Sequence, residues 1–380
     1  MRRVEFYRHS LNEDDVAAVG EVLRSIFLTT GPRAAAFERA LAEYLGVQHV
    51  VGVSSCTSAL YLSLRALGIG PGDEVITTPM TFIATSNTIL HAGATPVFVD
   101  VEPQTGNIDV QLVERAMTPR TRAVIPVHLY GLMADMGCLR EVCRRRNVAI
   151  IEDAAHAIEA ERNGARPGQL GAAACFSFYA TKNLTSGEGG AVATNDSAMA
   201  ESLKRLRSHG MSKEAAGRYT EQYRHWDMVE LGYKANLSDI QAALLLSQLP
   251  RLDAQRARRE AIARQYETAF AGLPGIEHPT VPPGATSARH LFTIWVPPDR
   301  RDQALSQLQE NGIGVAVNYR AVHLLSYYRQ NFWFRSGAFP NAERIGERTI
   351  TLPLYPGMSG ADVDQVIGAV SDLAVEWNRS

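Results

Sequence analysis

The sequence predicts a doubly wound α/β protein built on a mostly parallel sheet, and three observations carry that prediction. From about residue 47 to 195, short apolar runs alternate with helical patterns, the signature of strand–helix–strand units. Each of the segments at Thr57, Phe82, His128, Asp153 and Lys182 follows the carboxyl end of one of those runs, where ligands of such sheets gather. At 380 residues, with 46% hydrophobic and 21% charged residues, the chain can bury one large core and a smaller one.

The strands are expected at Gln48–Val53, Glu74–Thr77, Thr95–Asp100, Arg122–Val127, Val148–Glu152, Ala173–Phe178 and Gly190–Thr194. Helices are expected between them, for example Thr57–Leu67 and Met136–Arg146, and before them at Asn12–Phe27. Ser238 has the chemistry to cap a long helix, Asp239 to about Phe270, kinked by Pro250, whose charged stretch Arg251–Arg264 reads as a solvated face. The Gly/Pro-rich stretch Gly272–Gly284 marks a boundary. After it come a strand at His290–Val296 and helices at Arg301–Asn311 and Ala361–Asn378. The expected division is a large domain, residues 1–250, and a small α+β domain, residues 251–380, joined through the helix at 239–270.

Composition removes several classes. A net charge of -2 gives no basic footprint for nucleic acid. No apolar stretch approaches the roughly 18–20 residues of a membrane span. Met1-Arg2-Arg3 leads into Val4–His9 without an apolar signal segment. Cys56, Cys138, Cys143 and Cys175 form no C-x-x-C pair, so they read as reduced thiols of a cytoplasmic protein.

Lys182 is the most informative residue. It stands in Phe176-Ser177-Phe178-Tyr179-Ala180-Thr181-Lys182, and Gly187-Glu188-Gly189-Gly190 re-enters the apolar run Ala191-Val192-Ala193. A lysine on a turn at the end of a buried strand is desolvated into a nucleophilic amine, as a Schiff base to an aldehyde cofactor requires. Most loop lysines are simply solvated, so the assignment needs partners. Ser54-Ser55-Cys56-Thr57-Ser58 opens a helix whose free N–H groups and dipole suit a phosphate; taken alone, a plain Ser/Thr cap is the better reading. Neither a P-loop nor a G-x-G-x-x-G fingerprint is present. Asp153 ends a strand, where a carboxylate can keep the pyridine nitrogen of pyridoxal 5'-phosphate (PLP) protonated; the bland alternative is the cap of a helix Ala154–Ile158. His156 is placed to donate to the ring phenolate, or to serve as a core histidine. Glu152 points to the other face and reads as structural, as does Cys56. Phe82 can stack on a ring, although a lone Phe is usually core. His128 has no assigned role, His209-Gly210 reads as a helix stop, and Asn236 shares the capping logic of Ser54–Thr57.

These segments, in this order, resemble the DegT-type family of PLP-dependent nucleotide-sugar aminotransferases over nearly the whole chain. The F-S-F-Y-A-T-K run with its G-E-G-G, and E-D-A-A-H-A at Glu152–Ala157, are the specific matches. The resemblance implies PLP fold type I, with a seven-stranded large domain, a smaller C-terminal domain and a homodimer with shared active sites. It places Lys182 on the Schiff-base lysine, Asp153 on the pyridine-nitrogen carboxylate, His156 at the ring hydroxyl and Phe82 on the stacking aromatic. Thr57, Ser58 and Ser177 fall on phosphate binders, and Asn236 on the residue reaching the neighbouring subunit's phosphate. Asn318–His323 and Tyr327–Arg329 resemble the sugar-pocket loop of C4-aminating members such as the UDP-4-amino-4-deoxy-L-arabinose aminotransferase, making Tyr319, Arg320 and His323 substrate candidates. A structural reading packs His323 among Tyr327, Phe332 and Trp333. His9 and Lys234 depart from the family pattern, which has Pro and Asn there.

The implied activity is transfer of an amino group from L-glutamate to a nucleotide-linked keto-deoxysugar, a dTDP- or UDP-4-keto-6-deoxyhexose. The alternatives are a 3-keto nucleotide sugar or keto-cyclitol acceptor. A non-catalytic PLP-binding regulator is disfavoured by the intact Lys182, Asp153 and His156 and by the lack of an attached DNA-binding segment.

Overall fold

Consecutive residues of a strand face opposite ways, and here that alternation builds a core on each side of one sheet. In the computed structural model, which describes residues 3–212 and 225–379, Val50, Val124 and Ile150 pack into one core while Val51, Ile125 and Ile151 pack into the other. The sheet strands are β1 (His49–Val53), β2 (Glu74–Thr77), β3 (Thr95–Phe98), β4 (Thr121–Ile125), β5 (Ala149–Asp153), β7 (Ala173–Ser177) and β8 (Gly190–Thr194). Their order is β1-β8-β7-β5-β4-β2-β3, a seven-stranded sheet in which β8 runs antiparallel to both its neighbours and the remaining pairings are parallel. The mostly parallel sheet expected from the sequence is therefore present. A two-residue ribbon pairs β6 (Glu161–Arg162) with β9 (Ala285–Thr286).

The helices α1 (Glu13–Leu23), α2 (Pro32–Leu45), α3 (Cys56–Ala66), α4 (Ala84–His91), α5 (Val110–Ala116), α6 (Met136–Arg146) and α7 (Ser197–Leu206) precede or cross over the strands. Asn12 caps α1 in a reciprocal box with Asp15, and Asp15, fully buried, also accepts from Arg251 at 2.7 Å. That pair fastens α1 to the far end of α8 (Asp239–Gln248). The single helix expected from Asp239 to Phe270 is broken rather than kinked: α8 stops at Gln248, Leu249–Arg251 form a 3-10 turn, and α9 runs Leu252–Phe270. Pro250 has no N–H to continue the ladder, which accounts for the break. The charged part of α9 is not uniformly solvated either, because Arg259 is only 2% exposed.

A further core gathers Ile262, Tyr266 and Phe270 of α9 with β10 (Phe292–Trp295), β11 (Thr349–Leu352) and α13 (Gly360–Arg379); Val4 joins it from the N-terminal end. Around it lie α10 (Arg301–Glu310), α11 (Ser326–Phe332) and α12 (Pro340–Arg348), with β10 and β11 antiparallel. Met1 and Arg2 lie outside the described residues. Among those described, no helix is long and apolar enough to cross a membrane.

Candidate active site

The turn bearing Lys182 is fixed from below by packing. Phe178, fully buried, meets the Phe37 ring edge-on at a centroid distance of 5.4 Å, and Lys182 N donates to Tyr179 O at 2.9 Å. Tyr7 arrives from the N-terminal segment and donates its hydroxyl to Ala180 O. Tyr7, Lys182, Asn183, Arg259, His290 and Tyr319 line one cleft. Burial pushes the Lys182 amine down to about 8, with Asp153 and Cys56 opposing.

Asp153, at the end of β5, is 6% exposed. Its Oδ2 accepts from Thr85 Oγ1 at 2.7 Å and its Oδ1 from Ala155 N at 3.2 Å. Burial raises its pKa, while Thr85, the Ala155 N–H and Lys182 pull it back. No helix follows Asp153. Ala157 N bonds Ala154 O, and Ala160 N bonds Ala157 O, so two successive tight turns replace the expected Ala154–Ile158 helix. The second turn residue that matters is His156, whose Nε2 lies 3.1 Å from the Tyr319 hydroxyl. Its Nδ1 is buried without a hydrogen-bond partner among the described residues, and burial holds its pKa far below the usual histidine value. Phe82 is 55% exposed, an unusual state for a large apolar side chain, and stands 5.9 Å from the Tyr319 ring.

Ser55 caps α3, accepting from Ser58 N at 3.0 Å, and the Ser54 and Ser55 hydroxyls both lie 3.0 Å from Ser58 Oγ. Thr57 is exposed beside them. Gly190 explains how β8 fits against this turn: a Cβ there would sit 2.4 Å from the Ser55 carbonyl carbon. Ser177, the cross-strand partner of Gly190, is thereby brought to the same end of α3. Cys56 contributes no nucleophile, since burial raises its thiol well above the usual value.

Other sequence candidates fall elsewhere. Asn236 is not a cap; Ser238 is, in a box with Gln241. Asn236 instead bridges to Val53 and donates to Thr29 Oγ1 and Thr30 Oγ1, both at 2.9 Å. Of the loop candidates, Tyr319 reaches the cleft, Arg320 is exposed and outside its lining, and His323 is fully buried. The structure corrects the placement of His323 in a sugar pocket: its Nε2 lies 3.0 Å from Glu343 Oε1, and its ring packs edge-on against Phe339. Nor do the expected neighbours surround it, for Trp333 is 84% exposed and Phe334 takes that place. His128 is structural too; its Nδ1 accepts from Ala134 N and its Nε2 donates to Glu152 at 2.8 Å.

The match to the DegT/DnrJ/EryC1/StrS aminotransferase family extends over residues 9–371. The chain belongs to that family. It is a sugar aminotransferase with the type I fold of PLP-dependent enzymes. It is 45% identical, over 98% of both chains, to the spore coat polysaccharide biosynthesis protein SpsC of Bacillus subtilis. DesV of S. venezuelae superposes with a TM-score of 0.92 at 39% identity, covering 98% of this chain and 99% of that one. Spr1654 of Streptococcus pneumoniae, in its PLP-form, gives a TM-score of 0.92 at 32% identity over 99% of each chain.

The residues present fit the cofactor of this family. A buried strand-end carboxylate suits a ring nitrogen, an orphaned imidazole nitrogen suits a ring oxygen, and an exposed Phe suits a ring face. The N–H groups at the start of α3 suit a phosphate. Sequence reasoning missed Tyr7, Thr85, Asn183 and above all His290, whose Nε2 lies 3.5 Å from Lys182 Nζ. Asn183 is adjacent to Lys182 and was open to suspicion; His290 is 108 residues distant and carries no local signal.

The depressed amine gives a direct prediction. The chain has only the lysines Lys182, Lys204, Lys213 and Lys234, so 13C-lysine NMR of cofactor-free protein resolves Lys182. Its Cε resonance should titrate near pH 8, the amine being charged below and free above. Titration in the ordinary range near 10.4 would contradict the desolvation.

Proposed function

We propose that this sugar aminotransferase uses PLP to move an amino group from L-glutamate to a nucleotide-linked keto-deoxysugar, a dTDP- or UDP-4-keto-6-deoxyhexose. The observation that carries the reading is the depressed Lys182 amine lying near enough to the buried Asp153 carboxylate for each to act on the other's charge. When bound, PLP supplies an electron sink for the carbon that gains or loses the amine. Asp153 holds the ring nitrogen's proton, His156 Nδ1 meets the ring oxygen, and Phe82 covers a ring face. Ser58, Thr57 and Ser177 receive the phosphate. Lys182 anchors the cofactor and, once free, carries a proton to and from the reacting carbon. The C4 assignment of the acceptor is supported by the family likeness at Asn236 and by Tyr319 in the cleft; His323 no longer contributes to it.

Borohydride treatment of the yellow holoprotein should fix the cofactor to one peptide containing Lys182. A label on Lys204, Lys213 or Lys234 would sink the lysine assignment. A panel of nucleotide ketosugars with glutamate, read by NMR of the product carbon, tests the acceptor; amination only at C3 would overturn the C4 reading.

The proposed assembly is a homodimer in which Asn236 reaches the neighbouring phosphate. Ile26 and Leu231 are 79% and 75% exposed, which suits apolar contact with a second copy. Mixing Lys182→Ala with Asn236→Ala chains should then restore activity above either parent, through a hybrid site with both residues intact. Because Asn236 also lies beside Val53 of its own chain, absence of recovery would assign it to its own site instead.

A further inference from the structure

A line of buried polar groups runs from α9 to Lys182. Arg259 and Glu159, 2% and 3% exposed, form an ion pair. Asn183 Nδ2 donates to Glu159 Oε2 at 2.9 Å and to Ala288 O at 3.0 Å. His290, 6% exposed, has its Nδ1 3.1 Å from Asn183 Oδ1 and its Nε2 3.5 Å from Lys182 Nζ.

The donor inventory along this line leaves one arrangement. A backbone carbonyl only accepts, so the Asn183 amide nitrogen must face Ala288 and Glu159. Its oxygen therefore faces His290, and an amide oxygen also only accepts. His290 Nδ1 must carry the proton. A neutral imidazole protonated at Nδ1 has its lone pair on Nε2, the atom facing the lysine. Burial favours the neutral form, and the groups around the ring act in the same direction: Lys182 and Arg259 are cationic, and the His156 ring lies 4.5 Å away.

We propose that His290 is a positioning residue for Lys182: locked by Asn183 as the Nδ1–H tautomer, it offers the Nε2 lone pair to the lysine amine and orients it. The inference rests on the reading of Lys182 as the reactive amine. One amine N–H is engaged by His290 in both protonation states, so the lysine's own lone pair, or its transferable proton, is directed away from the imidazole. Accepting from the ammonium favours the charged form, so His290 also offsets part of the desolvation of Lys182.

The test is 15N NMR on 15N-histidine-labelled full-length protein, with and without cofactor, the resonance being identified by its loss in His290→Phe or, should that variant not fold, His290→Gln. A neutral ring protonated at Nδ1 is expected, and Asn183→Ala should shift protonation toward Nε2. An Nε2–H ring or an imidazolium in the parent protein would overturn the proposal, whatever peptide borohydride labels. In cofactor-free, folded His290→Phe the Lys182 Cε titration should move below that of the parent; an unmoved titration would equally overturn it. The donor half-reaction should slow on the order of 100-fold in His290→Phe. His290→Gln, whose amide can donate to Asn183 and present oxygen to Lys182, should stay within about 10-fold of the parent. Equal losses in the two variants would reduce His290 to packing.

Discussion

Asp153→Asn should fold like the parent and lose about 100- to 10,000-fold in amino transfer, the range for removing an essential charge or proton partner. The fold should survive because the local bonds can be remade. An amide oxygen still accepts from Ala155 N. Thr85 Oγ1, which now donates to Asp153 and lies 2.6 Å from Thr81 Oγ1, can rotate to accept from the new amide. What the amide cannot supply is negative charge beside a cofactor ring nitrogen. Thermal midpoint and steady-state rates separate the two effects. Near-parental rates would remove Asp153 from the mechanism, and an unfolded variant would show that its charge is structural.

Arg259→Met should destabilise the protein by about 3–5 kcal/mol, the usual cost of leaving one member of a buried ion pair alone. Glu159 would keep Asn183 but lose its cation while remaining 3% exposed. Its pKa is already raised by burial even with Arg259 present, and removing the guanidinium raises it further. A carboxyl raised in the folded state contributes stability that is present at low pH and lost as pH climbs through the folded value. The deficit of Arg259→Met relative to the parent should therefore be larger at pH 8 than at pH 5.5, as read by denaturant midpoints. Because protonated Glu159 needs no cation, Arg259→Met combined with Glu159→Gln should recover much of the loss. A deficit that did not narrow at low pH would show that lost packing of the arginine stem, rather than the unpaired charge, sets the cost.

The strands and the lysine turn were legible in the sequence because their causes are local. Runs such as Val148–Ile151 are apolar throughout since they are covered on both faces, and a Gly at 190 is required where β8 touches the start of α3. Lys182, Asp153 and His156 were visible because each lies at a strand end or within a few residues after one. The extent of α9's solvation was not visible, since Arg259 and the surrounding arginines look alike along the chain. Only the arrival of Glu159 from beyond β5 makes one of them a buried partner.

His323 and His290 show where the limit lies. Both are single histidines without a local signature, and the loop around His323 carried the stronger family likeness. Tertiary structure reverses their apparent importance: Glu343 and Phe339 enclose His323, while the segment leading into β10 brings His290 beside Lys182 from 108 residues away. Strand periodicity and strand-end residues are encoded within a few neighbours, so the sequence by itself determined the sheet and the set Asp153, His156 and Lys182 that follows its strands. The state of a buried imidazole depends on which donor or acceptor meets each nitrogen. Those partners are chosen by long-range packing, which only the folded chain decides.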